Sequence, residues 1–479
     1  MPPATGDYEV DRHRHVAARR ARLGAEMALL TRPLPEVHAL RDRRLRALLT
    51  WARERSPWHR ERLAGVDLEA VTGDDLSALP VMTKADLMAH WDRIVTDPRL
   101  TLERVEEHLE RVRRTGPAYL PGDHHAVASG GSSGVRAVMV WDFEGFLHHH
   151  LAYARVGLWR ARNVARRPDA RPTVVAAVYA TSAVHVSAAL ARCFATERYP
   201  VRLLAAARPV AELAAELEAL QPTNLATYPS VLARLARLAE AGRLALRLRR
   251  ITTNGEPLDG EVRAAAERAF GVVPETSWGT TETAPLACSD GLAPWMVVNE
   301  DKSVLEPVDG EGRPVPPGRP AERVLATNVV NRVLPLIRYV IDDRVTFLDR
   351  PNPGPWTGRL VGEVHGRADE SFTWRHGGDD GGGVTVHPFT VRAVLGERAD
   401  VSEYQVRQTA AGAEVLVVPP AGGSAGAAPD AAGIAAAVAA ALGAAGLRQP
   451  RVEVRSVERL GRREDTGKLR RFVPLPPEP

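Results

Sequence analysis

Residues 223–271 read TNLATYPSVLARLARLAEAGRLALRLRRITTNGEPLDGEVRAAAERAFG. Thr223–Thr227 is a compact apolar run suited to a strand. The stretch Ser230–Ala241 then carries leucine and alanine at helical spacing and is stopped by Gly242. Leu246–Thr252 is a second apolar run, and Asp259–Phe270 a second helical stretch, stopped by Gly271. Glycine ends helices well because it enters the left-handed region without a Cβ penalty. Two strand–loop–helix units in succession predict parallel strands joined by crossover helices, an α/β layer fold. Thr173–Val178 supplies an earlier strand of the same kind.

Outward from this stretch the character changes on both sides. Residues 8–70 are rich in Arg, Ala, Leu and Glu at helical spacing, with Leu40, Leu45, Leu48, Leu49 and Trp51 on the apolar side. They predict a helical N-terminal region over about 1–120, interrupted at Ser56-Pro57 and Leu79-Pro80. Val81–Leu87 reads as a short strand or turn, with Thr83 capping the next helix. Between 295 and 348 the strands Trp295–Val298, Val324–Asn328, Leu336–Tyr339 and Arg344–Phe347 predict an antiparallel sheet or small barrel. After Gly366-Arg367-Ala368-Asp369 come the loops Gly377–Gly383 and Pro419–Pro429, the strands Glu403–Gln408, Glu414–Val418 and Val452–Val457, and the helix Ala431–Ala445. The expected fold is α/β: a large multi-sheet N-terminal domain, residues 1–366, and a small α+β C-terminal domain, residues 367–479.

Composition narrows the function classes. At 479 residues, 44% hydrophobic and 25% charged, the chain reads as soluble and globular, with too much mass for one core. A net charge of +4 from interspersed charges offers no nucleic-acid face. No run is apolar enough for a membrane span, and the charged N-terminus has no apolar signal region. Cys193 and Cys288 stand far apart with no metal spacing, as reduced thiols of a cytoplasmic protein would. The triplet His148-His149-His150 lies in an expected helix, where adjacent residues point different ways and make a poor metal site. Of the 63 Lys and Arg residues only Lys84, Lys302 and Lys468 are lysine. An ammonium point charge is therefore rare here, and it does what a guanidinium fork cannot.

Several short motifs carry polar chemistry. Ser129-Gly130-Gly131-Ser132-Ser133-Gly134 lies between the apolar runs Ala126–Ala128 and Ala137–Val140. Its glycines let backbone N–H groups turn inward, and its hydroxyls add donors, a composition suited to phosphate oxygens; no Gly-Lys-Ser/Thr ends it, so it is not a P-loop. Asn254-Gly255-Glu256-Pro257 is a strand-to-helix junction. Ser277-Trp278-Gly279-Thr280-Thr281-Glu282 offers an aromatic face, hydroxyls and a carboxylate able to hold Mg²⁺ beside phosphate. Leu336–Asp343 is a strand leading into two carboxylates, and Gly366–Asp369 a linker. Glu464-Asp465-Thr466-Gly467-Lys468 sits near the end of the chain.

In this order the motifs resemble those of the adenylate-forming superfamily of acyl-CoA synthetases, adenylation domains and luciferases. Ser56–Leu63 and Leu79–Leu87 resemble the opening of the phenylacetate–CoA ligase and coenzyme F390 synthetase branch, and the resemblance spans about Leu40 to Arg471. It implies the activation of a small, aromatic or other, carboxylic acid by ATP to an acyl-adenylate, with pyrophosphate release and transfer to CoA. Ser129 and Gly130–Gly134 would close over the phosphates; Gly255, Glu256 and Pro257 would line the adenine pocket. Trp278, where the family usually has Tyr, would stack on adenine beside Gly279 and Thr280. Thr281 would touch phosphate and Glu282 would hold Mg²⁺; both join Lys468 as the catalytic set. Asp343 would bind the ribose, with Arg367 beside it, and Asp369 would be the hinge of the small domain. Lys468 would stabilise charge that builds at phosphorus; Lys84 is expected to be structural and Lys302 to lie on the surface. Tyr179, Ser182, His185 and Tyr228 are the acid-pocket candidates, His185 pairing with substrate or resting as a satisfied semi-buried histidine.

Three departures stand out. Val135-Arg136-Ala137 replaces the Pro-Lys that often follows the glycine-rich loop, Ile341-Asp342-Asp343 replaces Thr-Gly-Asp, and Glu370–Gly383 is long and acidic. The last bears on the acceptor, which leaves an amine, a carrier-protein thiol or nitrite as alternatives to CoA. A catalytically silent nucleotide-binding protein is the rival of another class, and a homodimer is compatible with the sequence.

Overall fold

The computed structural model describes residues 7–121, 123–129, 137–163, 171–367, 371–375, 383–386, 403–419, 429–462 and 469–475, with scattered positions between 390 and 401. Its centre is a ten-stranded sheet. In spatial order the strands are Pro320–Ala321, Asp343–Phe347, Leu360–Arg367, Met296–Val298, Ala284–Cys288, Glu275–Thr280, Arg250–Asn254, Asn224–Thr227, Val175–Tyr179 and Val201–Ala205. The last five run parallel, with crossover helices Val186–Phe194, Val210–Leu220, Pro229–Glu240 and Gly260–Phe270 between them. This is the α/β alternation of residues 223–271. The second helix ends where Gly271 turns left-handed at φ 65°, and Gly242 follows the first at φ 69°. The helices bury Leu232, Leu235, Ala236, Val262 and Ala266 against Val178, Leu225 and Ile251.

Two sequence expectations shift in register. The strand read as Leu246–Thr252 begins only at Arg250, because Arg249 and Arg250 donate their amides to the Thr223 carbonyl as the chain enters the sheet. The strand read as Leu336–Tyr339 is Tyr339–Ile341. Arg338 sits just before it at φ 47°, its guanidinium held by Glu306 and by the Leu79 carbonyl. Residues 295–348 are antiparallel as expected but form no barrel. Ser303–Val308, Arg323–Asn328 and Tyr339–Ile341 make a three-stranded sheet, while Met296–Val298 and Asp343–Phe347 extend the central one.

Helices Tyr8–Ala28, Leu34–Arg55 and Pro57–Arg62 open the described chain. Ser56 ends the second and caps the third, its hydroxyl accepting the His59 amide. Around the first helix lies a dense set of histidines. His15 donates from Nε2 to the Phe143 carbonyl at 3.1 Å and accepts from the Tyr119 hydroxyl at 2.8 Å, which fixes a neutral tautomer. His125 stacks on Phe146, with ring centroids 3.7 Å apart, and His150 on Phe194 at the same distance. Cys193 approaches His15 and His125 with ligand atoms within 4.8 Å. Both nitrogens of His15 are already engaged, so the group reads as packed neutral rings. Burial pulls His15 and His59 down to about 4 and His149 to about 3; burial followed by Lys302 takes His148 to about 3.

Lys302 is not on the surface. It is 4% exposed, with Nζ 2.6 Å from Glu26, 3.3 Å from Asp301 and 3.2 Å from His148 Nδ1. Arg155 completes the cluster by donating to Asp301 and Asn299. A buried ammonium survives only when paired in this way; the sequence expectation took polarity for exposure.

The small C-terminal α+β domain has a four-stranded sheet in the order Arg451–Ser456, Gly412–Val418, Glu403–Thr409, Phe472–Val473. Helix Ala431–Ala444 is capped by Asp430 and buries Ile434, Val438 and Leu442, spaced four residues apart so that they share one face. Among the described residues, every buried hydrophobic cluster lies wholly on one side or the other of the 366–372 region. No described helix is long and apolar enough to cross a membrane.

Candidate active site

The parallel strands deliver the motifs. In open α/β sheets ligands bind at the carboxyl ends of strands, and those ends here carry Tyr179, Tyr228, Asn254–Pro257 and Trp278–Glu282. Tyr179 and Tyr228 are buried and pack edge to face, with centroids 4.9 Å apart. The Tyr179 hydroxyl accepts from Asn254 Nδ2 at 3.0 Å, and burial raises its pKa. The pair therefore offers a neutral aromatic wall. Ser182 has a buried Oγ with no partner among the described residues, and His185 is the N-cap residue of Val186–Phe194.

At the adenine-side motif Gly255 turns at φ 76°, and Glu256 accepts from the Ser230 amide at 2.9 Å and the Ser230 hydroxyl at 3.1 Å. Glu256 thus caps the helix Pro229–Glu240, a role sequence reasoning did not foresee. Pro257 follows in the loop to Gly260–Phe270.

Trp278 is 5% exposed and donates from Nε1 to Asp343 Oδ2 at 2.7 Å. Asp343 pairs in register with Arg367 on the neighbouring strand, so the three positions named for adenosine meet across the sheet. The adjacent Asp342 reaches toward Arg323 at 3.7 Å, so it does not share the Trp278 contact. Gly279 is sterically obligatory: a Cβ there would meet the Ala284 carbonyl oxygen at 2.3 Å. Its neighbour Thr280 folds the turn by accepting the amides of Glu282 and Thr283 at 3.2 Å. Thr281 is half-buried on this turn, and Glu282 is 8% exposed.

Lys84 stands beside Glu282, Nζ to Oε1 3.8 Å. Thr83 and Asp86 form a capping box that starts the helix at Lys84. Met82 is stitched to the three-stranded sheet by its amide to the Arg338 carbonyl and its carbonyl to the Val340 amide. That seam carries Lys84 to the carboxylate. The sequence gives no sign of this contact between Lys84 and Glu282.

At the glycine-rich loop, Ser129 and Ala137 exchange backbone and hydroxyl hydrogen bonds at 2.9 and 2.8 Å, closing the base between the paired strands His125–Ala128 and Val138–Trp141. Gly130, Gly131, Ser132, Ser133 and Gly134 lie outside the described residues, as do Asp369 and Lys468.

The ends of the segment around Lys468 are described. Arg462 donates to the Ser230 hydroxyl at 3.0 Å and to Glu403 at 2.7 Å. Arg471 donates to Asp259 at 2.8 Å and lies over the Tyr404 ring. The thiols of Cys193 and Cys288 are pushed up by burial to about 12 and about 11, out of the range of a nucleophile at neutral pH.

No protein-family model and no curated protein sequence matches the chain. Solved structures do. 2-Hydroxyisobutyryl-CoA ligase in the postadenylation state, in complex with R3-HIB-AMP, matches with a TM-score of 0.67 at 20% identity, over 93% of this chain and 90% of that one. The same ligase with 2-HIB-AMP and CoA in the thioesterification state matches at 0.53 and 20% identity, over 93% and 91%. An ATP-bound RpMatB-BxBclM chimera matches at 0.50 and 17% identity, over 71% and 65%. The chain shares the fold of 2-hydroxyisobutyryl-CoA ligase.

Proposed function

We propose that this protein activates a small carboxylic acid with ATP, forming an acyl-adenylate and pyrophosphate, and passes the acyl group to CoA. The observation that carries the reading is the pairing of Trp278 with Asp343 and of Lys84 with Glu282 along one edge of an adenylate-forming fold. Residues 1–366 would form the ATP- and acid-binding domain and 367–479 the mobile domain hinged at Asp369.

The chemistry assigns each group a task. The acid would lie against the Tyr179–Tyr228 wall, with its carboxylate toward the nucleotide. Trp278 would face adenine, and Asp343 would accept from ribose hydroxyls while the indole N–H fixes its carboxylate. The buried Glu282 carboxylate, already facing a cation, suits Mg²⁺, which would supply charge neutralisation at the phosphates. Lys84 would balance Glu282 and add positive charge near the leaving pyrophosphate. Lys468 would hold the attacking carboxylate and the developing charge at phosphorus, a positioning and electrostatic role.

The test is pyrophosphate release across a panel of acids, with mass detection of adenylates. Addition of CoA, a carrier-protein thiol, amines and nitrite in separate arms identifies the acceptor. Pyrophosphate with adenylate, consumed on adding CoA, is the expected result. ATP binding without turnover of any acid would sink the reading.

A further inference from the structure

The small domain rests on the large one through arginines. Among the described residues no buried hydrophobic cluster joins the two. Hydrogen bonds from Arg462 to Ser230 and from Arg471 to Asp259 cross between them. Both arginines are largely covered, with side chains 11% and 23% exposed. Both land on large-domain groups that border the candidate site. Ser230 opens the helix that follows Tyr228 and is held by Glu256, and Asp259 is the N-cap residue of the helix that follows Gly255–Pro257. Glu403 ties Arg462 back to its own domain.

Further arginines line the same seam. Arg234 and Arg237 lie half-buried on the same helix as Ser230. Burial, and then Arg462, lower Arg234 to about 10; burial also lowers Arg237, with Arg471 and Arg462 adding to the effect. At Arg471 burial opposes the charge, but Asp259 and Glu256 outweigh it; Glu403 pairs Arg462.

We propose that Arg462 and Arg471 are positioning residues that latch the small domain onto the Ser230–Glu256–Asp259 edge and so set its orientation over the site. Arg462 and Arg471 lie on either side of Lys468 in sequence. Its catalytic consequence rests on the acid-activating reading above; the docking itself does not.

Spin labels at Arg243→Cys and Glu458→Cys, both on exposed positions, report the interdomain distance by pulsed electron resonance. The latched chain should give one dominant distance. Arg471→Asp should shift or broaden it, Arg462→Gln should do so more weakly, and Asp259→Arg combined with Arg471→Asp should restore it. Thermal melts check folding, and Asp259→Asn breaks the same contact from the large domain if Arg471→Asp does not fold. An unchanged distribution in Arg462→Gln and in Asp259→Asn or Arg471→Asp, or no restoration by the folded charge swap, overturns the latch. With an acid found active in the panel, Arg471→Asp should lower adenylate formation on the order of 10- to 100-fold, with KM for ATP changed less and recovery in the swap. A shifted distance with unaltered rates overturns the positioning role. Absence of pyrophosphate with every acid counts against the enzymatic reading and leaves the distances to decide the docking.

Discussion

Lowering the pH from 7.5 to 5.5 should destabilise this protein far above the range in which carboxylates titrate. His15, His59, His148 and His149 are held neutral, at about 4, 4, 3 and 3. Their folded values lie below the unfolded value of about 6.5, so as pH falls the unfolded chain takes up protons that the folded chain refuses. Stability is then full above the unfolded value and declines below it. Over these two pH units each ring costs about 1.4 kcal/mol, and the four together about 5 kcal/mol. A typical domain has about 5–15 kcal/mol in total. His125 and His150, also lowered by burial, add to the effect. Guanidinium unfolding followed by circular dichroism at pH 8, 7, 6 and 5.5 measures the slope. It should approach four or more protons per molecule below pH 6. His149→Phe, beside Trp141, should reduce it by about one. Unfolding free energy that stays level from pH 8 to 5.5 would refute the reasoning, since the rings would then titrate alike in both states.

Lys468→Ala should cut adenylate formation by about 10²–10³-fold with a smaller change in ATP affinity, because a preorganised charge acts on the transition state; Lys468→Arg should rescue poorly, and near-normal rates with Arg would count against an ammonium-specific role. Glu282→Gln should raise the Mg²⁺ concentration needed for half-maximal rate, while Lys84→Met should lower the rate without that rise; a Mg²⁺ titration of each separates them. Glu26→Gln leaves the Lys302 ammonium short of a partner and should cost about 3–5 kcal/mol in denaturant unfolding; a loss under 1 kcal/mol would show that Asp301 suffices.

The parallel strands and their helices were legible because alternation and glycine stops act locally: Gly242 and Gly271 needed no tertiary information. The small-domain helix was legible as the alanine-rich run Ala431–Ala445. Contacts that link distant segments were not. Nothing near Arg338 announces that Glu306 and the Leu79 carbonyl will hold it in a left-handed turn and delay the strand. Nothing near Lys302 announces Glu26. The Trp278–Asp343 bond was half legible, since both residues were named for one nucleotide but not for each other. Lys84 was visible as a rare residue, yet its approach to Glu282 depends on the Met82 seam, which no local pattern encodes.

The burial of Lys302 gives the molecule a covalent reporter. An amine-selective reagent meets three lysines in the whole chain, and this one is sealed among Glu26, Asp301 and His148. Modification at that single nitrogen requires the core to open. Its labelling rate in a mass spectrum, or cleavage after it by a lysine-specific protease, therefore counts opening events one at a time in an otherwise amine-poor protein.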